Sequence, residues 1–343
     1  MERIEEAIAN AIRFRKYNAL ISETFELARS QAEIAMSRGI KPFPIVVKDC
    51  FAVESTLTTC ASKMLSNFRA PYTATVIQRL IDKGGCVIGK ANMDEYCMGT
   101  SSSQSFFGPV KNGLSNENEL DNDWRIPGGS SGGCAVSVQL SMADIAVGSD
   151  TGGSTRNPAA FTGTFGIKPS YGLLSRHGLI PLVNSMDCPS LITKSAASCN
   201  KFLEIMSGRD KYDSTSVDPL ESCFMKKRNL QGLIVGIPEE YFNSSLSIEC
   251  WKAWNRAAKS LCSLGCKLKR ISMPYTEYSI ICYHVLAEAD IASNMARYDG
   301  VAYGFRCQAE DSTHAMYAAS RSESFNEVVR RRIFAGNYFL LKQ

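Results

Sequence analysis

The sequence predicts an α/β protein, and three observations carry that prediction. A strand, a helix and a second strand follow one another between Pro42 and Lys90. Two Gly- and Ser-rich turns stand at element ends between Gly128 and Gly166, and the strand–helix–strand succession resumes between Gly232 and Pro274. Such alternation is the pattern of a sheet whose parallel strands are joined by helical crossovers.

In chain order, Glu5 to Met36 reads as helices, because apolar residues recur at three and four with charges between them. "PFPIVVKD" is a β-branched run led by prolines and predicts a strand ending at Lys48. "TATVIQRLIDKGG" predicts a helix with Thr73 as N-cap and Gly84 as terminator, and "CVIGK" a further strand. "GCAVSVQLSM" has helical character, and "ADIAVGSD" is a buried strand that runs into "SDTGGSTR". "GLIVGIPEEYF" and "CKLKRISMP" predict strands on either side of an amphipathic helix, "IECWKAWNRAAKSLCSLG", closed by Gly265. A polar stretch, Ser207 to Pro219, reads as a long surface loop within one domain.

The chain has 343 residues, 45% hydrophobic and 21% charged, enough for a sizeable core. A net charge of +4 with scattered Lys and Arg argues against a nucleic-acid-coating surface. The thirteen cysteines contain no Cys-x-x-Cys pair, so they are expected to be mostly buried, reduced thiols with no metal site. No apolar run approaches the roughly 20 residues of a membrane span. The N-terminal "MERIEEAIANAIRFRKYNAL" holds three Glu and reads as neither a secretory signal nor a transit peptide.

The chemistry concentrates in "PGGSSGG" (127–133) and "SDTGGSTR" (149–156). Asp150-Thr151-Gly152 matches the aspartic-protease tripeptide, but that mechanism needs two such carboxylates and a chain made of strands. "PGGSSGG" precedes a helix yet lacks the Gly-Lys-Ser/Thr of a phosphate loop. Ser154 on a glycine turn suits a nucleophile beside exposed amides, provided a base is near. Two bases remain open on spacing alone. One is a histidine, of which His177 in "SRHGL" is the nearest; the other is Lys48, at the end of an apolar strand where desolvation favours a neutral amine.

"GGSSGG" followed by "SDTGGSTRNPAAFTGTFGIKPSYGLLSRHGL" resembles the signature of the amidase signature family, with the two serines 24 residues apart. The resemblance implies one amidase domain over residues 1–343 with a signature core at about 128–170. Its fold would be a central mixed, mostly parallel β-sheet flanked by helices on both faces. It implies Ser154 as nucleophile, Ser130 as the cis-serine that relays a proton, and Lys48 as general base and acid, with Ser131 bonded to Lys48. The amides of Thr151, Gly152, Gly153 and Ser154 would form the oxyanion hole, braced by Asp150 and Arg156.

"GKANMDEYCMG", "GFRCQAEDS" and "SRSESFNEVVRRRIFAGNY" resemble the branch that supplies the glutaminase (A) subunits of glutamyl-tRNA(Gln) amidotransferases, and "SRHGLIPLVNSMD" its mitochondrial members. For this branch the resemblance implies glutamine as substrate, held by Arg332 and Tyr283, and a location in the mitochondrial matrix. It implies B and C subunits as partners in a heterotrimer. ATP, magnesium and most of the grip on tRNA would belong to the B partner, leaving no cofactor in this chain. The family's chains run on beyond the end of this sequence, which implies a C-terminal truncation lacking an acidic substrate-binding residue. The alternatives are a free-standing amidase and an assembly subunit impaired in catalysis.

Overall fold

The computed structural model describes residues 1–115, 118, 123–218, 230–308 and 312–341. Its contacts divide the chain into two compact units, Met1–Glu221 with Ala287–Gln343, and Ser222–Leu286.

The first unit opens with α1 (Glu2–Arg13), β1 (Leu20–Glu23) and α2 (Phe25–Ser37), followed by β2 (Phe43–Lys48), α3 (Thr75–Asp82) and β3 (Gly85–Ala91). It continues through α4 (Gly132–Gln139), β4 (Ile145–Ser149), α5 (Arg156–Thr162), β5 (Phe165–Ile167), β6 (Pro189–Thr193) and α6 (Ala196–Met206). The six strands form one mixed sheet in the order β1-β3-β2-β4-β6-β5. β2 runs parallel to β3 and β4, β1 and β6 run against them, and β5 is antiparallel to β6, so four strands share one direction.

Both faces of this sheet are covered. Every residue of β3, and every residue of β2 after Phe43, is buried. Alternate side chains explain why: Val46, Ile88, Ala146 and Ile192 join one cluster with Ile4, Ala7, Ile8 and Ala11 of α1, Ala28 and Ala32 of α2, and Val136 of α4. Their neighbours Ile45, Val47, Val87 and Leu191 point to the opposite face, where α3 and α6 contact each other and β3 and β6.

Two local expectations are corrected. The N-terminal stretch read as helices also contains a strand, β1, which adds to the sheet against β3. Thr73 is not the N-cap of α3, which starts one residue later with Ala74 at that position. The Ala74 amide is held by the Ala52 carbonyl at 2.9 Å, while Thr73 Oγ1 accepts the Glu54 amide at 3.0 Å. Gly84, with φ of +97°, does follow the helix end. The polar loop after α6 is bonded down as far as Val217: Asp210 accepts the Ser175 hydroxyl at 2.6 Å, Asp213 the Arg176 amide at 2.8 Å and the Gly172 carbonyl the Val217 amide at 2.9 Å, whereas Pro219 lies outside the described residues.

In the second unit β7 (Ile234–Pro238) and β8 (Lys267–Ile271) pair in parallel, joined by α7 (Ile248–Ser263). The Ser247 hydroxyl caps α7 by accepting the Cys250 amide at 3.3 Å, and Gly265 follows its end with φ of +90°. The chain then returns through α8 (Ser279–Met295) to the first unit, which ends with α9 (Thr313–Ser324) and α10 (Glu327–Leu341). Among the described residues no helix is long and apolar enough to cross a membrane, and no cluster of three metal-binding side chains occurs.

Candidate active site

The parallel strands β2 and β4 are adjacent, with Val47 opposite Val147, so Lys48 and Ser149 reach the same end of the sheet. Crevices at the carboxyl ends of such strands are where α/β sheets gather functional side chains. The loop before α4 brings Ser130 to this point. Lys48 Nζ lies 2.8 Å from Ser130 Oγ and 3.0 Å from Ser149 Oγ, and all of Lys48, Ser130 and Ser131 are fully buried. The Gly129–Ser130 peptide is cis. A side chain at Gly129 would stand 2.2 Å from Asp94 Oδ2, so only glycine lets this loop approach so closely.

Strand alternation sends Asp49 away from Lys48, to the side where it pairs with Lys90 Nζ at 3.0 Å and accepts the Thr59 amide at 2.8 Å. Ser131 Oγ donates to the Ser149 carbonyl at 3.3 Å, the carbonyl that Lys48 Nζ approaches at 3.5 Å. Its bond to Lys48 is therefore indirect. The Ser131 amide donates to the Ser154 carbonyl at 3.0 Å, tying the two glycine turns together.

The second turn is organised by Asp150. This fully buried carboxylate accepts the Gly153 amide at 2.7 Å, the Thr155 and Arg156 amides at 3.1 Å, and the Arg156 guanidinium at 2.9 and 3.0 Å. Burial pushes its pKa up, but the Arg156 bonds, the Arg156 charge and the amides outweigh that and hold it below the usual carboxylate value. Gly153 has φ of +123° with open space around a hypothetical Cβ, so the backbone angle, not crowding, requires glycine. Because its amide is committed to Asp150, Gly153 has none to offer an oxyanion. Among the described residues the amides of Thr151, Gly152 and Ser154 have no protein acceptor, and Ser154 Oγ, partly exposed, makes no hydrogen bond. Thr151 Oγ1 donates to Asp187 Oδ1 at 2.7 Å; Asp187 lines a cavity of about 290 Å³ with Arg176, His177 and Asn184.

Lys48 is bonded to Ser130, and burial alone does not set its charge. Desolvation, the largest influence, opposes its ammonium, and the neighbouring sulfurs, Cys97 first, favour it, so that the Lys48 pKa lies above its ordinary value. This direction is opposite to the one that desolvation of a strand-end lysine produces by itself. His177 is engaged elsewhere: it stacks between Tyr72 and Tyr212 at 4.9 and 4.7 Å, with Nδ1 3.3 Å from Thr75 Oγ1.

Arg332 lies half-buried on α10, whose preceding Asn326 amide donates to Glu95 at 2.9 Å, and it makes no ion pair among the described residues. Tyr283 sits in the second unit, on the first half of α8, against the His284 ring. Ser149 was not anticipated. Its place immediately before Asp150 at a strand end is the one sequence signal that points to it.

The mixed sheet, with a lysine and serines gathered at one end of its central strands, forms the site of an α/β enzyme. The chain belongs to the amidase family: the model of the family described as Amidase matches residues 2–343. It is 48% identical over 349 residues to the mitochondrial A subunit of glutamyl-tRNA(Gln) amidotransferase from Xenopus tropicalis, covering 95% of this chain and 67% of that protein. It is likewise 48% identical over 351 residues to the protein of that name from Homo sapiens, covering 95% and 66%. The chain thus spans about two thirds of the length of these relatives. Among solved structures, an amidase superposes with a TM-score of 0.78 at 28% identity, covering 98% of this chain and 70% of that one. The A subunit of the Thermotoga maritima glutamyl-tRNA(Gln) amidotransferase gives 0.72 at 30% identity, covering 98% and 73%.

Proposed function

We propose that the chain is the glutamine-hydrolysing subunit of a mitochondrial glutamyl-tRNA(Gln) amidotransferase, working as one amidase domain that releases ammonia from glutamine through a glutamyl ester on Ser154. The observation that carries this reading is the buried Lys48–Ser130 bond of 2.8 Å on a loop whose next amide holds the Ser154 backbone at 3.0 Å. The names of its relatives supply the substrate, the mitochondrial setting and the assembly.

In the reaction, Ser154 Oγ attacks the side-chain carbonyl of glutamine while Ser130 takes its proton and passes its own to neutral Lys48. Negative charge on the carbonyl oxygen is met by the unengaged amides of Thr151, Gly152 and Ser154, each such donor lowering the barrier by roughly 3 kcal/mol. Gly153 serves by bending the turn. The proton returns from Lys48 through Ser130 to the departing nitrogen, ammonia leaves, and water attacks the ester by the same route. Asp150 and Arg156 hold the turn in shape without exchanging protons. Arg332 grips the glutamine carboxylate, its fork suited to two parallel bonds.

The ammonia passes to the B subunit, which consumes ATP with magnesium to amidate Glu-tRNA(Gln); with the C subunit these form a heterotrimer in the mitochondrial matrix. The test is ammonia release from glutamine by the chain alone and with the B and C subunits. Strong release only in the complex, abolished by Ser154→Ala, supports the reading. Hydrolysis of simple amides by the chain alone, indifferent to Arg332→Ala, would instead identify a free-standing amidase. Assembly without any ammonia release would identify an impaired subunit.

A further inference from the structure

The amide of Gly132 finds its acceptor outside the glycine loop. The first amides of a helix have no partner within it, and a side chain at the N-cap commonly supplies one. Ser131 holds that place at the start of α4 but caps nothing, its hydroxyl being given to the Ser149 carbonyl at 3.3 Å. The Gly132 amide donates instead to Ser102 Oγ at 2.9 Å, across 30 residues of chain, and the Gly133 amide to the Asn92 carbonyl at 3.1 Å.

Ser102 is held firmly for this contact. It is fully buried, and its φ of 55° lies in the left-handed region, which non-glycine residues seldom adopt. Its amide donates to Asp94 Oδ2 at 2.9 Å and its carbonyl accepts the Val110 amide at 2.9 Å, so bonds on both sides fix its backbone. Asp94, also fully buried, accepts the Gln104 amide at 3.1 Å with its other oxygen and gives its own amide to the Ser130 carbonyl at 3.3 Å. The glycine loop lies directly against this support. A Cβ on Gly129 would stand 2.8 Å from the Ser102 nitrogen, and one on Gly132 would stand 2.6 Å from Ser102 Cβ. Strained backbone of this kind persists where surrounding structure imposes it, and it accumulates at functional sites.

The contact bears on the chemistry because Ser130 stands two residues before Gly132. A serine hydroxyl readily accepts the amide two residues further on. In that arrangement Ser130 Oγ would turn from Lys48 to its own backbone, and a buried Gly132 amide without another acceptor would favour the turn. Ser102 removes the incentive. With the amide already satisfied, Ser130 Oγ stays 2.8 Å from Lys48 Nζ. The hydroxyls beside Ser102 do not substitute for it, since Ser101 and Ser103 bond each other at 2.7 Å.

We propose that Ser102 is a positioning residue for the amide hydrolysis assigned above: by accepting the Gly132 amide it keeps the Ser130 hydroxyl on Lys48, free to relay the proton of Ser154. The inference rests on that functional reading. It makes the Ser102 hydroxyl, which belongs to neither glycine turn, a condition for the relay.

The experiment measures kcat and KM for glutamine in the assembled enzyme, and the thermal unfolding of the full chain, for Ser102→Ala, Ser102→Gly and each of these combined with Ser130→Ala. Ser102→Ala should lower kcat by about 10-fold or more, the effect of a buried amide seeking a new acceptor, and leave KM within about twofold. Glycine adopts a φ of 55° freely, so Ser102→Gly separates the hydroxyl from the backbone strain. It should lose as much kcat as Ser102→Ala while unfolding at a higher temperature. In the Ser130→Ala background neither substitution should lower kcat further, because the group they position is gone. A kcat kept within about twofold in Ser102→Ala, a kcat restored by Ser102→Gly, or losses that add to that of Ser130→Ala would each overturn the proposal. If Ser102→Ala does not fold, Ser102→Gly and its double variant decide alone. Ser130→Ala by itself separates the two claims: ammonia release at the wild-type rate there sinks the functional reading instead.

Discussion

Lys48 Nζ stands 2.8 Å from Ser130 Oγ, and neither side chain is exposed to solvent. A lysine at the end of an apolar strand thus has a hydroxyl in reach and is shielded from bulk solvent. Replacing it by Met keeps the volume and removes the base. Ammonia release by the complex should fall by roughly 10²–10⁴-fold, with the circular-dichroism spectrum unchanged.

Ser130→Ala should cost as much as Lys48→Met, and the double variant little more, because a relay fails as a unit. Additive losses in kcat would show that Lys48 and Ser130 act separately.

The Arg156 guanidinium supplies two of the hydrogen bonds that Asp150 accepts, and this side chain is 53% exposed. Arg156→Ala should destabilise the chain by about 1–2 kcal/mol in urea unfolding, the lower part of the range for bonds to charged groups because solvent already screens the arginine. Arg156→Lys should restore only part, since an ammonium cannot grip both carboxylate oxygens in parallel. Asp150 is ionised more readily in the fold than in the unfolded chain, so this contribution is present above pH of about 4 and is lost as pH falls through the lower folded value.

Asp187 has the opposite sign. Burial pushes its carboxyl up to about 6, against bonds from Thr151 and two amides. Between the unfolded value near 4 and this folded value, the folded chain holds a proton the unfolded chain has lost, so stability falls as pH rises through that window. The slope amounts to about 3 kcal/mol across the window. Asp187→Asn should flatten it, which Tm measured from pH 4 to 7 will show.

Much of this arrangement was legible in the sequence, for identifiable reasons. β2 announced itself through an uninterrupted apolar run, and Lys48 stood out as the charge at its end. The glycine turns marked where Ser130 and Ser154 sit. The strand β1 did not stand out, since four residues embedded in helical spacing give no period of their own. Ser149 and Ser102 were hidden because small polar residues in strands and turns usually pack, and 30 residues separate Ser102 from the amide it holds. The partner of Asp49 followed from alternation across the sheet, which places neighbours on opposite faces; without the sheet, Lys48 was its nearest cation. Nothing in spacing could tell that Asp150 would claim the Gly153 amide.

The most direct measurement is mass spectrometry of the assembled enzyme quenched in acid during glutamine turnover. A glutamyl adduct should appear on the peptide containing Ser154, accumulate faster than it decays when water attack is slowed, and vanish in Ser154→Ala along with ammonia release. Ammonia formed at the wild-type rate by Ser154→Ala, with no adduct on that peptide, would contradict the account.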